Sequence, residues 1–141
     1  MSLTRIFDVA GSGMAAQSLR LNVVASNLAN ANSVASSPDA AYRAREPLFA
    51  AVRRQAGAEA QGGDATVGVQ VRGIAESDAP VNAQYEPGNP MADADGYVYA
   101  SNVNPVEELV NMISASRSYQ SDVEVMNTTK QLMLKTLTLG D

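Results

Sequence analysis

Residues 104–138 open Asn104-Pro105-Val106-Glu107-Glu108-Leu109-Val110-Asn111-Met112 and close Lys130-Gln131-Leu132-Met133-Leu134-Lys135-Thr136-Leu137-Thr138. Asn104 is a strong N-cap, and Pro105 suits the first helical position, whose N–H has no intrahelical partner. Glu107 and Glu108 fall in the first turn, Lys130 and Lys135 come late, and Gly140 follows as a stop signal. All of these match the helix dipole and C-cap rules. Between them Leu109, Met112, Tyr119, Val123, Met126, Met133 and Leu137 recur at steps of three, four and seven. That spacing predicts a helix over 105–138 with a heptad seam for a partner helix. At ~1.5 Å per residue it would run about 50 Å, too long for the core of so small a globule. It should project or be gripped by neighbours.

The other end of the chain carries a matching stripe. Leu3, Phe7, Ala10, Met14, Leu21, Val24, Leu28 and Ala31 predict a helix over 4–30, capped by Ser2 or Thr4, with Asp8 near the positive end of its dipole. Its interior is weak. Gly11 and Gly13 each cost about 1 kcal/mol relative to Ala, and Ser12, Ser18, Asn22, Ser26 and Asn27 add little. Two readings of the glycines stand side by side: close approach of a partner helix, or a simple helix defect. Either way this helix should depend on a partner for its order.

The middle is organised differently. Residues 30–41 are a breaker cluster that ends the first helix. Residues 42–54 read as extended, with Pro47 limiting them to an edge strand or a bend. Residues 55–66 are small and polar and read as a flexible loop. Residues 67–74, Val-Gly-Val-Gln-Val-Arg-Gly-Ile, alternate with period two and predict a strand, with Ala79–Tyr85 as its antiparallel mate. Glu86-Pro87-Gly88-Asn89-Pro90 and Asp93-Ala94-Asp95-Gly96 are turn signals leading into Tyr97-Val98-Tyr99-Ala100. Residues 67–100 are thus expected to form a small β unit of local hairpins. The expected fold is mainly α with a small β insertion (α+β). Long antiparallel N- and C-terminal helices form a coiled-coil-like core. The segments are 1–34 (first core helix), 35–102 (extended segment, loop and β unit) and 103–141 (second core helix).

Composition narrows the chemistry. The 141 residues hold 10 Lys plus Arg against 15 Asp plus Glu, a formal charge of −5. Residues 36–102 carry five arginines and nine acids, and no segment is a basic stripe, which argues against nucleic acid as a partner. Cys and His are absent. That removes disulfides, Cys- or His-ligated zinc and haem, and nucleophiles that need either residue. Asp93-x-Asp95-Gly96 resembles the start of a calcium loop but lacks the later Glu and flanking helices, so a turn is the expectation. Ser114, Ser116, Ser118 and Ser121 have no histidine to activate them. Gly11-Ser12-Gly13 follows no strand and has no Lys partner, so no phosphate loop is expected. No metal, cofactor or enzymatic activity is expected. No run of ~18 apolar residues suggests a membrane span, and no basic-then-apolar leader suggests a Sec-type signal. Met14, Met112, Met126 and Met133 suit either an adaptable interface or ordinary core filling.

Three stretches then resemble a known family. Ser26-Asn27-Leu28-Ala29-Asn30-Ala31-Asn32-Ser33 resembles the N-terminal signature of rod and hook proteins, whose last position is more often Thr. Tyr85-Glu86-Pro87-Gly88-Asn89-Pro90-Met91-Ala92-Asp93, with Asp95-Gly96-Tyr97-Val98, is similar to that family's hairpin region. Asn102-Val103-Asn104-Pro105 through Ser118-Tyr119-Gln120 resembles its C-terminal helix. The resemblance covers essentially the whole chain and is to the bacterial flagellar basal-body rod proteins, in the proximal-rod FlgC family. Residues 53–66 match no motif.

The resemblance implies a structural subunit of the proximal rod, exported through the flagellar type III apparatus without a cleaved signal and assembled in the periplasm. Its implied partners are other rod proteins and copies of itself, the MS-ring-to-rod adaptor and the export gate. The expected interface residues are Phe7, Met14, Leu21, Val24, Leu28, Asn30 and Asn32 on the first segment. On the second they are Leu109, Met112, Tyr119, Val123, Met126, Met133 and Leu137. The competing reading is a soluble helical adaptor or export chaperone that binds a partner helix.

Overall fold

The computed structural model describes residues 3–54 and 66–138. Its elements run α1 (Leu3–Asn30), β1 (Val34–Ala35), β2 (Arg45–Arg54), β3 (Thr66–Glu76), β4 (Asn82–Tyr85), β5 (Tyr97–Ala100) and α2 (Pro105–Thr138). The fold is α+β: two long helices and two small sheets. Of the loop expected over 55–66, Thr66 instead begins β3; residues 55–65, the Ser2 cap and the Gly140 stop lie outside the described residues.

Both helices form where their local signals place them. Asn104 caps α2 through its Oδ1, which accepts the Val106 N–H (3.1 Å), while its C=O accepts the first helical bond from Glu108 N–H (3.0 Å). Thr4 is the second described residue of α1, inside the helix rather than at its cap. A cap there would require the helix to begin two residues later, at Arg5.

The strands depart from expectation in their pairing. β4 does not pair with β3. Instead β3 forms a two-stranded sheet with β2, and a separate sheet has the order β1-β5-β4. In that sheet β4 runs antiparallel to β5 with Tyr85 opposite Tyr97, and β1 runs antiparallel to β5 with Ala35 opposite Tyr99. The β unit is therefore not built of local hairpins alone, because β1 comes from just after α1. Period-two alternation reports that a segment is extended. It carries no information on which edge that segment finds.

The chain divides into two compact units, each drawing on both helices. One comprises Met1–Leu19, Leu48–Gly73 and Ser114–Asp141; the other comprises Arg20–Pro47 and Ile74–Ile113. In the second unit β5 is the central strand, and Val98 is fully buried beside Val23, Val24, Ala35, Ala41, Ala100 and Val103 among the core residues. In the first, the buried residues among those described are all small: Ala10, Ala16, Ala115 and Thr129. Among the described residues, no helix is long and apolar enough to cross a membrane.

Candidate assembly interface

The end of α1 is held by one buried side chain. Asn27 is 1% exposed. Its Nδ2 donates to Arg45 C=O (2.9 Å), and its Oδ1 accepts both Arg45 N–H (3.0 Å) and Tyr42 O–H (3.0 Å). Tyr42 Oη also lies 3.2 Å from Ser26 Oγ. A side-chain amide offers two donors and an acceptor with two lone pairs. Asn27 uses both lone pairs of its oxygen and one N–H, tying the last turns of α1 to the first residue of β2. Three residues on, Asn30 Nδ2 donates to Ser26 C=O (2.8 Å) and Ser33 Oγ donates to Asn30 C=O (2.7 Å). The second satisfies a carbonyl that a helix end leaves open. Asn102 works similarly between strands, accepting Ala44 N–H (2.7 Å) and donating to Ala79 C=O (2.9 Å). The Arg45–Glu76 pair (3.3 Å) is largely exposed and adds little.

A second side-chain clamp shapes the turn before β5. Asp93 Oδ1 accepts the N–H groups of Asp95 (3.0 Å) and Tyr97 (2.8 Å), and Oδ2 accepts Tyr99 O–H (3.0 Å). The Tyr97 bond is the main reason its carboxyl titrates below the ordinary 3.8; burial opposes it, and the Tyr99, Asp95 and Gly96 bonds assist. The Asp93 bond in turn raises the Tyr99 phenol above its ordinary 10.0. Gly96 has φ +84°, and a Cβ there would meet the Tyr85 ring at 2.9 Å, so glycine is required. The Asp-x-Asp-Gly motif is a turn whose carboxylate is engaged by the chain's own donors. Among the described residues, no acidic group could hold a metal ion.

In the first unit, α1 and α2 come close where the side chain is smallest. A Cβ on Gly13 would lie 2.6 Å from Asp122 Oδ2 and 3.1 Å from its Cγ, whereas one on Gly11 would meet nothing within 4 Å. Close helix approach thus explains Gly13 and not Gly11. Next to it, Ser12 Oγ donates to Val9 C=O (2.8 Å) and accepts Val69 N–H (3.1 Å), fastening β3 to α1. A Cβ on Gly68 would stand 3.2 Å from that hydroxyl. In the second unit, Arg20 Nη2 donates to Asn111 Oδ1 (3.0 Å) and joins the same two helices.

The expected interface residues divide by burial. Val24 is buried, and Phe7, Met14, Leu21, Leu28 and Asn30 are half-buried. Met112, Tyr119, Val123, Met126 and Met133 are half-buried too, on the α2 face that also carries the buried Ala115 and Thr129. Asn32, Leu109 and Leu137 are exposed. Leu109 lies with Val106, Val110 and Ile113 on a second stripe, across the helix from Ala115. Sequence reading passed over Ala115, Thr129, Ala16 and Asn27 as packing residues. Hydrophobic periodicity weights large side chains, while a close helix contact selects small ones. Asn27 offered one signal, its place in the Asn-rich signature.

The comparisons with known proteins agree along the whole chain. Residues 7–35 match the family described as flagella basal body rod protein. Residues 94–139 match the family described as flagellar basal body rod FlgEFG protein C-terminal. The flagellar basal-body rod protein FlgC of Salmonella typhimurium is 56% identical over 140 residues, 99% of each chain. The chain belongs to the FlgC family of flagellar basal-body rod proteins. The family's Escherichia coli O157:H7 member is likewise 56% identical over 99% of each chain, and a Buchnera aphidicola member is 42% identical over the full length of both. Asn27, Ser26 and Asn30 fall in the first matched region, and α2 with its Asn104 cap falls in the second.

Proposed function

We propose that this chain is a non-enzymatic structural subunit of the proximal rod, built through its terminal helices into the helical shaft that carries torque to the hook and filament. The observation that carries this reading is full-length identity to FlgC rod proteins, joined to a helix, α2, that buries little within one chain. Segments 1–34 and 103–141 supply an antiparallel, coiled-coil-like core, supported by the Gly13–Asp122 approach and the Arg20–Asn111 bond. Segment 35–102 adds the sheets as lateral contacts. The partners are other rod proteins, copies of this chain, the MS-ring adaptor and the type III export gate. Export proceeds without a cleaved signal, and assembly takes place in the periplasm.

Physics favours such a subunit. A head-to-tail interface that does not close generates a helical tube. A helix with two glycines and little propensity passes a narrow channel unfolded and orders on binding, where the ordering cost is met. Replacement of Val123 or Met126 by Asp is expected to abolish swimming with expression intact. Normal motility in those strains would refute the seam.

A further inference from the structure

Asp95-Gly96 is the one place in the sequence where Asp or Asn precedes Gly. Such a dipeptide is prone to spontaneous isomerisation. The amide nitrogen of the second residue attacks the side-chain carboxyl carbon of the first. Glycine has no Cβ, so the approach is unhindered. A nitrogen–Cγ bond forms and water leaves, closing a succinimide ring. Water then adds back at either ring carbonyl. Opening at the backbone carbonyl routes the main chain through Cγ and leaves isoaspartate. The sum is an isomerisation that consumes no oxidant, reductant or co-reactant.

The fold requires this dipeptide and also restrains it. Gly96 has φ +84°, and a Cβ there would meet the Tyr85 ring at 2.9 Å, so no bulkier residue can shield Asp95 from attack. Asp95 itself is exposed. The restraint comes from Asp93. Its C=O accepts the Gly96 N–H, the attacking group, at 3.1 Å. Its Oδ1 accepts Asp95 N–H (3.0 Å) and Tyr97 N–H (2.8 Å). Gly96 C=O accepts Glu86 N–H (2.9 Å), and Tyr97 C=O accepts Asp93 N–H (2.8 Å). Backbone groups on both sides of the reacting nitrogen are therefore held. Ring closure must turn the Asp95–Gly96 peptide out of these bonds, so reaction proceeds through the locally opened turn. We propose that Asp95-Gly96 is a self-modification site, which converts to isoaspartate in the unfolded chain and is held back in the folded one by the Asp93 hydrogen bonds. Isomerisation adds a carbon to the main chain inside a turn packed against Tyr85 and Pro87, so the modified chain does not rebuild the pairing of β4 with β5. The inference does not rest on the rod reading. Under that reading, the time a subunit stays unfolded before assembly limits the fraction that can still fold.

The test incubates the purified full chain at neutral pH, folded in buffer or unfolded in guanidinium chloride. A protease that cuts before aspartate and not before isoaspartate then reads the product as lost cleavage before Asp95. Isoaspartyl methyltransferase, transferring labelled methyl groups from S-adenosylmethionine, reads it independently on the same peptide. The unfolded chain is expected to lose cleavage many-fold faster than the folded one. Asp95→Glu, which would have to close a larger ring, takes no methyl label at that peptide. Folded Asp93→Ala is expected to react several-fold faster than the folded native chain. Asp95→Asn closes the same ring with loss of ammonia, so its folded form should gain mass many-fold more slowly than its unfolded form. That comparison carries the test of protection if Asp93→Ala does not fold. No lost cleavage in the unfolded chain would overturn the site. Equal rates in the folded and unfolded chains would overturn the protection. A folded Asp93→Ala chain that reacts at the native rate would overturn the role given to Asp93.

Discussion

The two compact units solve the burial problem differently. The unit of Arg20–Pro47 and Ile74–Ile113 buries valines around a central strand and an Asn27 whose hydrogen bonds reach across the chain. The unit of Met1–Leu19, Leu48–Gly73 and Ser114–Asp141 buries Ala10, Ala16, Ala115 and Thr129, and leaves Leu48, Phe49, Val67, Val69, Leu134 and Leu137 exposed. Burial of a Val side chain contributes roughly 1.5–3 kcal/mol, while Ala contributes far less. One unit therefore completes a core within a single chain. The other brings backbones together around small residues and leaves large apolar groups exposed, as the valine-lined unit also does at Val106, Leu109, Val110 and Ile113.

The contrast can be broken experimentally, and Asn27 offers the largest effect. Asn27→Ala takes the side-chain partner from both the Arg45 N–H and the Arg45 C=O, while the Tyr42 hydroxyl keeps Ser26 Oγ. About 3 kcal/mol of stability should go, at 1–3 kcal/mol for each orphaned group, and urea unfolding of the purified monomer measures it. A loss below about 1 kcal/mol would mean that the valine-lined unit does not depend on its polar lock. Asn104→Ala should cost about 1 kcal/mol, read as a drop in helicity and in the same urea midpoint. Gly11→Ala should stabilise by up to about 1 kcal/mol. Gly13→Ala should give a smaller gain or none, because the new methyl displaces the Asp122 carboxylate. Equal gains at both sites would remove the close helix approach from the small-residue unit. Hydrogen exchange on the monomer sharpens the comparison without mutation: amides at 97–103 should outlast those at 3–19.

The smallest effect is the pH dependence of the Asp93 turn. Its carboxyl titrates lower in the folded chain than the ordinary 3.8. The stabilisation is therefore complete above that value and is lost as pH falls through the lower, folded one. Tyr99 titrates above its ordinary 10.0, so its share is complete below 10.0 and is lost as pH rises through the higher folded value. Asp93→Asn should flatten the acid limb of a stability-against-pH curve. An unchanged limb would assign the acid sensitivity to other carboxylates.

Much of the fold was legible along the chain. Asn104, Pro105 and the first-turn glutamates placed the start of α2, and Tyr97–Ala100 was read as a strand over its full length. Periodicity also put Met112, Tyr119, Val123, Met126 and Met133 on one face, and that face is half-buried. Leu109 and Leu137 share that spacing yet are exposed. Periodicity identifies a face without stating how far along the helix a partner reaches.

Caps, turns, helix spans, the acidic balance and the missing Cys and His were determined by the sequence itself, because each depends on a residue and its near neighbours. The tertiary structure alone decided that β3 joins β2 and β4 joins β5, that Asn27 holds Arg45, and that Gly13 rather than Gly11 meets the second helix. Each of these pairs groups distant in the chain. A local pattern shows that such a group needs a partner, and only the folded chain selects which one.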